Sequence, residues 1–298
     1  MIFSLFADVV EWFRDNGPVF SALSRKRRFE PFALPPRVEV LEDRCLLSST
    51  TTVPSLTDIP QRIAVTDYLF AMEAKGNPSV AFVGDSISWE YAYGSGAAVW
   101  SAYMAPLGMS SYGVIGQTTQ SLLYEFSLGL LNNINPALVV LDIGGNNLLQ
   151  GDTPQATVAG ILADVNAIHQ ELPQTQILVL GVLPGMESPN APYRLEGTLT
   201  DQLAAQMLAD DPYATFVNLG SVFLQADGTI SSSVMSDYLH PTELGYLELT
   251  SVLLPDIEQS LFGNSVTQAP SSLPFGSLSI SGGFQTPPPS TPIPMSPS

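Results

Sequence analysis

The sequence predicts an α/β fold, a three-layer α/β/α sandwich around a five-stranded parallel sheet. Short apolar runs rich in β-branched residues alternate with longer amphipathic segments about five times along the chain. This alternation is typical of parallel strands whose crossover helices pack on both faces of the sheet. Several apolar runs lead directly into glycine and polar residues, a pattern that locates candidate functional side chains at the carboxyl edge of the sheet.

The predicted elements follow from the apolar pattern and from capping residues. We expect strands at 80–83, 110–115, 137–143, 177–182 and 214–219. We expect helices at 60–75 after an Asp58 cap, from Thr118 or Thr119 to 131, at 154–171 and at 242–261. The 154–171 segment carries its apolar residues on one stripe, as a helix that covers a sheet does.

The first strand is the stretch on which the rest of the chain is organised. Gly84 ends it with a residue that permits a sharp turn, and Ser86 stands just beyond. A serine at the carboxyl end of a strand is well located for a nucleophile. Taken alone it is more often a turn residue, so the function depends on what the other strand ends supply.

Charge is distributed unevenly. The net charge is −18, yet residues 1–44 hold equal numbers of basic and acidic residues, seven of each. Residues 45–298 hold three basic and twenty-one acidic residues. The acidity of residues 45–298 argues against nucleic-acid partners and against anionic membranes. It favours a solvated acidic surface over a dedicated acidic binding face.

Three regions are expected. Residues 1–55 are a leader and linker, 56–265 form the core domain, and 266–298 are a Pro/Ser-rich disordered tail. Within the leader, 41–48 resembles a short element found near the start of many exported proteins of certain budding, compartmented bacteria; the alternative is a charged linker. We therefore expect an exported or cell-surface protein, and otherwise a cytoplasmic one. No apolar run approaches the ~20 residues that a membrane-spanning helix needs.

Cysteine and histidine are scarce. The only cysteine, Cys45, lies in the leader, and the only histidines are His169 and His240. So few potential zinc ligands argue against a zinc site, and we expect neither a metal nor a cofactor. His169 falls at a helix end that leads into the fourth strand, which is the opposite edge of the sheet. If the protein uses a serine–histidine mechanism, His240 is its base.

The residues at the strand ends suit acyl transfer. Ser86 needs a base to remove its proton, and His240 has the appropriate pKa range. Asp237 precedes His240 by three residues, so one loop can supply both the base and the carboxylate that orients it. Gly116 lets a backbone N–H approach a substrate oxygen, and Asn146 offers a side-chain amide. Each of these residues could separately be a turn or capping residue; together they form a constellation.

The same four blocks resemble the SGNH hydrolases, also called GDSL-type esterases. The blocks are Gly84-Asp85-Ser86, Gly116, Gly144-Gly145-Asn146-Asn147 and Asp237-Tyr238-Leu239-His240. The resemblance spans about 78–261 and looks closest to the branch that holds the platelet-activating-factor acetylhydrolase Ib catalytic subunits. It implies a flavodoxin-like SGNH hydrolase fold and a triad of Ser86, Asp237 and His240. It also implies an oxyanion hole made by the N–H groups of Ser86 and Gly116 and the amide of Asn146.

The resemblance leaves the substrate open. Many relatives carry Asp where this chain has Asn147, and Arg194 is the one basic residue expected near the active edge, so we expect these two residues to bind substrate. We expect a serine esterase acting on short-chain, acetyl-type esters of a small molecule or carbohydrate. The alternatives are a catalytically silent glycan-binding module of the same fold, suggested by the aromatic residues of 88–108, and a lysophospholipase or lipase-like esterase. The oligomeric state is not fixed by the sequence.

Overall fold

The computed structural model describes residues 50–54, 68–69, 71–73 and 75–263. The predicted leader element, the Asp58 cap and the predicted tail lie outside the described residues. Of the helix predicted for 60–75, residues 68–69 and 71–73 are helical, and residue 75 lies in a turn. Within the described part of the chain, no helix combines the length and apolar character that crossing a bilayer requires.

The core of the protein is a five-stranded sheet with the strand order β2-β1-β3-β4-β5, and every neighbouring pair is parallel. The strands are β1 (Val80–Gly84), β2 (Met109–Gly113), β3 (Leu138–Asp142), β4 (Gln176–Leu180) and β5 (Ala214–Val217). All five predicted strands are present, each within two residues of its predicted limits. The order reverses at β1, the kind of switch point where open α/β sheets bind their ligands.

The register aligns the strand ends that matter for function. Gly84, the last residue of β1, pairs with Gly113 at the end of β2 and with Asp142 at the end of β3. The loops that follow these three strands therefore start at the same level of the sheet. A side chain at position 84 would place its Cβ 2.2 Å from the carbonyl oxygen of Asp142, so this crossing of chains requires glycine.

Helices cover both faces of the sheet. They are α1 (Ser86–Tyr93), α2 (Ala97–Val99), α3 (Thr119–Ser127), α4 (Gly145–Leu149), α5 (Pro154–Glu171), α6 (Pro192–Leu208) and α7 (Glu243–Phe262). Alternate strand residues point to opposite faces: Val83 joins a core with α3 and α5, whereas Phe82 joins a core with α1 and α7. The predicted three-layer arrangement is confirmed.

The predicted helix limits agree best where a cap defines them. The helices expected at 154–171 and 242–261 span Pro154–Glu171 and Glu243–Phe262, after the capping side chains of Thr153 and Thr242. The helix expected to reach 131 ends at Ser127, because the backbone then turns through left-handed conformations.

Two of the five aromatic residues in 88–108, Tyr91 and Trp100, belong to the core. The rings of Tyr91 and Trp100 each lie 6.0 Å from Phe82 in edge-to-face contact, and Tyr91 stacks on Tyr246 at 4.6 Å. These rings fill the layer between β1 and α7. Tyr91 and Trp100 are therefore explained by packing, whereas Tyr93 and Tyr103 are exposed.

A short segment ahead of the sheet is part of the same core. Thr51 belongs to a 3₁₀ turn, Thr50–Thr52, and is fully buried. Its hydroxyl donates to the carbonyl of Ala156 at 2.7 Å, and its own carbonyl accepts from the hydroxyl of Thr119 at 3.1 Å. Thr51 lies inside the predicted leader, so these contacts argue for a domain boundary ahead of residue 50. The predicted boundary at 55 stays a prediction.

Replacing Thr51 should test this attachment. Thr51→Val keeps the shape but removes the donor to Ala156, so we expect the free energy of unfolding to fall by ~0.5–1.5 kcal/mol. Thr52→Val, the same change at the exposed neighbouring residue, should have a smaller effect. Urea unfolding of the full-length protein, followed by circular dichroism, measures both. Equal stability of the Thr51 variant and the unaltered protein would mean that the segment is not part of the domain.

Candidate active site

Ser86 is the first residue of α1, directly beyond β1. The helix is capped by Asp85, whose carboxylate accepts the N–H of Ile87 at 2.9 Å. The turn fixes the backbone of Ser86 at the amino terminus of α1, where N–H groups have no partner within the helix. Ser86 is 8% exposed, and it lines a small cavity described below.

The loop before α7 brings His240 to the same point. His240 Nε2 lies 3.1 Å from Ser86 Oγ, and His240 Nδ1 lies 2.7 Å from a carboxylate oxygen of Asp237. The other oxygen of Asp237 accepts the backbone N–H groups of Leu239 and His240 at 3.0 and 2.8 Å. Tyr238, between Asp237 and His240, has a φ of 60°, a left-handed conformation that a non-glycine residue seldom adopts. The tight loop therefore holds base and carboxylate together at a local backbone cost.

Asp237 is set up to remain ionised. Partial burial acts to raise its pKa, but hydrogen bonds from the His240 ring and from two backbone N–H groups lower the pKa below its ordinary value. An ionised Asp237 accepts a proton-bearing Nδ1, which leaves the lone pair of Nε2 facing Ser86. This is the tautomer in which a histidine can accept a proton from a serine.

Asn146 ties together the loops that follow three strands. It lies in α4, after Gly144, whose φ of 113° is a glycine conformation. Its amide nitrogen donates to the carboxylate of Asp85 and to the carbonyl of Gln117, both at 3.0 Å. The amide hydrogens thus point at protein oxygens from the loops after β1 and β2. A bound oxyanion would have to share one of them.

Gly116 lies in the turn after β2 with a φ of 75°. It directly precedes Gln117, the residue whose carbonyl holds Asn146. The structure brings it to the expected edge of the sheet, although it is not among the residues that line the cavity beside Ser86.

The two expected substrate-binding residues face elsewhere. Asn147 is fully buried, where its amide donates to Asp152 and its oxygen accepts the N–H of Thr119. Arg194 is 8% exposed and donates to the carbonyls of Met186 and Gly228, at 3.4 and 3.2 Å. The structure does not bring either side chain into the cavity or groove beside Ser86. Both hold loops in place.

His169 is remote from Ser86, as expected. It lies in the last turn of α5 and stacks on Tyr213 with ring centroids 3.5 Å apart. Tyr213 directly precedes β5, so this stack marks the amino-terminal edge of the sheet.

The sequence reasoning missed the residues that shape the space around Ser86. A small cavity of about 30 Å³ opens beside it. Its walls include Asn146, Leu149, Val182, Tyr193 and Leu239. These come from separate loops and helices, and no local pattern marks them in the sequence. An open groove of about 370 Å³ lies on the other side, against His240.

Asp142 also lines the cavity, and it forms a buried carboxyl pair with Asp85. Burial raises the pKa of both groups, and the neighbouring charge of Asp142 raises that of Asp85 further. The pKa of Asp142 is raised to about 7, although the hydroxyl of Ser88 donates to it and acts to lower it. An acid within an otherwise apolar strand was the available signal for this pair.

This pair predicts that stability falls as pH rises. Asp142 keeps its proton to a higher pH in the folded protein than in the unfolded chain. Its contribution to the free energy of unfolding is therefore complete below ~pH 4 and is lost as pH rises through about 7. Asp142→Asn should therefore flatten the decrease in unfolding free energy between pH 5 and pH 8. Asp210→Asn, at an exposed position, is the control. Urea unfolding at each pH gives the slopes, and an unchanged slope in Asp142→Asn would contradict the assignment.

The α/β/α fold and the side chains at the carboxyl edge of its sheet define a class of protein, and comparison with known proteins supports the same class. Residues 82–247 match the model of the GDSL-like Lipase/Acylhydrolase family, which is more than half of the chain. The protein is a carboxylic ester hydrolase. It belongs to the GDSL-like lipase/acylhydrolase family.

Individual relatives agree with this assignment. The platelet-activating factor acetylhydrolase IB subunit alpha1 of Homo sapiens is 35% identical over 176 residues, which cover 59% of this chain and 74% of the relative. The subunit alpha2 of Mus musculus is 33% identical over 196 residues, which cover 64% and 82%. A GDSL-like lipase from Bacteroides thetaiotaomicron has the same fold, with a TM-score of 0.55 at 21% identity over 67% of this chain and 99% of that one.

Proposed function

We propose that the protein is a serine esterase that hydrolyses short-chain, acetyl-type carboxylic esters, with Ser86 as nucleophile, His240 as general base and Asp237 as its orienting carboxylate. One observation carries the proposal. Ser86 Oγ, the His240 ring and the Asp237 carboxylate form a continuous hydrogen-bonded chain with separations of 3.1 and 2.7 Å. These separations lie within the range expected for a nucleophile and its base.

The geometry suits a two-stage reaction. His240 Nε2 accepts the proton of Ser86 as Oγ attacks the ester carbonyl carbon, and the imidazolium is stabilised by Asp237. As the tetrahedral intermediate collapses, the C–O bond to the alcohol breaks and His240 returns the proton to the departing oxygen. Water then attacks the acyl group on Ser86, again through His240, which releases the carboxylic acid and restores the serine.

The oxyanion formed in each stage requires fixed donors. The Ser86 N–H lies at the first turn of α1, where the helix dipole also favours negative charge. Gly116 would supply a second backbone N–H, and Asn146 would supply its amide. Because the Asn146 amide already donates to Asp85 and Gln117, these two oxygens keep it oriented before substrate arrives.

The cavity supports a short acyl group. A water-sized group occupies ~10–15 Å³ by the same measure of volume, so about 30 Å³ holds roughly two such groups. Val182, Tyr193 and Leu239 close its walls, and all three belong to one packed cluster. Leu149, which is 44% exposed at the cavity, is the observation that would favour a lipase-like enzyme instead.

Replacing the proposed nucleophile and base should abolish activity. Ser86→Ala and His240→Ala are each expected to lower kcat for 4-nitrophenyl acetate by at least ~10³-fold, because each change removes the attacking atom or its proton acceptor. His169→Ala is the matched control and should retain most of the activity. Circular dichroism should find all three variants folded. A comparable loss of activity in His169→Ala would mean that His240 had been wrongly chosen as the base.

Acyl-chain preference should follow the size of the cavity. We expect kcat/KM to fall in the order 4-nitrophenyl acetate, butyrate and octanoate, in graded steps, since each methylene is worth only ~1–3 kcal/mol. Val182→Ala removes part of the cavity wall, which enlarges the cavity, and should shift the acyl-chain preference toward butyrate. Val222→Ala, at a partly buried position outside the cavity, should not. A maximum at octanoate in the unaltered protein would favour the lipase-like alternative.

A further inference from the structure

The groove on the His240 side of Ser86 differs from the cavity in size and in chemistry. Its volume of about 370 Å³ lies in the range of small-molecule sites, ~300–1,000 Å³. It is lined by carboxylates, by hydroxyl groups and by the ring of Pro241, and no large apolar side chain or Lys/Arg is among its lining residues. The side chains used below are Glu90, Ser95, Ser236, Thr242 and Glu243.

The reaction itself assigns the groove to one half of the substrate. His240 Nε2 must reach the departing oxygen to protonate it, so the alcohol portion of the ester lies on the side of His240. The acyl portion lies on the side of Asn146, which lines the small cavity. The groove is therefore located where the alcohol portion would extend.

Two carboxylates flank this space. Glu90 lies four residues after Ser86 on α1, so both side chains project from the same face of the helix. Glu243 lies in the first turn of α7 and is exposed. Asp237 also lines the groove, so the negative potential there disfavours an anionic ligand.

The hydrogen-bonding capacity of the groove is mainly that of an acceptor. The hydroxyls of Ser95 and Thr242 already donate to the carbonyls of Pro241 and Ser233, at 2.8 and 2.6 Å. Ser95 offers lone pairs to a ligand, as do the carboxylates of Glu90 and Glu243, whereas Thr242 Oγ1 also accepts the backbone N–H of Gly245 at 3.2 Å as the cap of α7. A ligand rich in hydroxyl donors fits this surface, whereas an alkyl chain would leave these groups desolvated and unpaired.

We propose that this groove is the alcohol subsite of the esterase and that it takes an uncharged, polyhydroxylated alcohol while rejecting anionic ones. The inference rests on the proposed function and extends it from the acyl group to the alcohol. Glu90 and Glu243 act as specificity-determining residues, by accepting hydrogen bonds from hydroxyl groups and by repelling negative charge.

A matched pair of esters isolates the effect of charge. The carboxylate 3-acetoxybenzoate and its neutral amide, 3-acetoxybenzamide, have the same shape and acetyl group. The assay is run at pH 8, because burial and the nearby charge of Asp237 raise the pKa of Glu90. We expect kcat/KM for the amide to exceed that for the carboxylate by roughly three- to tenfold at low ionic strength, and the ratio to shrink in high salt.

Variants assign this ratio to the groove. Glu90→Gln and Glu243→Gln should each lower it, and the double variant should bring it close to one. Glu248→Gln, at an exposed position of α7 outside the groove, should leave it unchanged. A second pair, a monoacetylated methyl pentoside and cyclohexyl acetate, compares rings of similar size, and the sugar ester should have the higher kcat/KM.

The outcomes separate this inference from the function on which it rests. An enzyme that is active on 3-acetoxybenzamide but accepts the carboxylate equally well would overturn the alcohol subsite alone, as would a preference for cyclohexyl acetate. An equal loss of the charge ratio in Glu248→Gln would also overturn it. A protein inactive on all four esters and on 4-nitrophenyl acetate would overturn the proposed function together with this inference.

Discussion

The geometry of the site depends on one buried carboxylate, that of Asp85. One of its oxygens caps α1 and so fixes Ser86, while the other holds the amide of Asn146 from the loop after β3. The same amide reaches Gln117 in the loop after β2. Three chain segments that meet only because their strands end at the same level are thereby joined. A carboxyl group suits this role because its two oxygens can each accept a hydrogen bond from a different segment of the chain.

Burying two carboxyl groups side by side disfavours their ionised forms. Asp142 and Asp85 are both buried, so each disfavours ionisation of the other. Strain is also present in the opposite half, at the left-handed Tyr238 between Asp237 and His240. Functional sites commonly keep such unfavourable features because the surrounding fold outweighs them. Here the surrounding fold is a sheet with fully buried central strands and an apolar core on each face.

Much of the fold was predictable from the sequence, because buried strands and capped helices have local signatures. Helix α5 was predicted from its apolar stripe, whereas α1 was obscured by the aromatic residues that pack around Phe82. Ser86 was predicted from its position at a strand end, whereas Asp237 and His240 were predicted from their spacing and from the scarcity of histidine, and they lie in the loop before α7. Arg194 and Asn147 were misleading because charge and polarity in a sequence do not reveal burial. The cavity walls, such as Tyr193 and Leu239, depend on long-range packing that no local pattern encodes.

Covalent labelling tests most directly whether Ser86 is a nucleophile activated by His240. The full-length protein would be treated with a fluorophosphonate probe and analysed by intact mass and peptide mapping. We predict a single adduct on Ser86 that is absent from His240→Ala and present at an undiminished rate in His169→Ala. No adduct, or an adduct on Ser86 that forms equally fast without His240, would contradict the proposed mechanism.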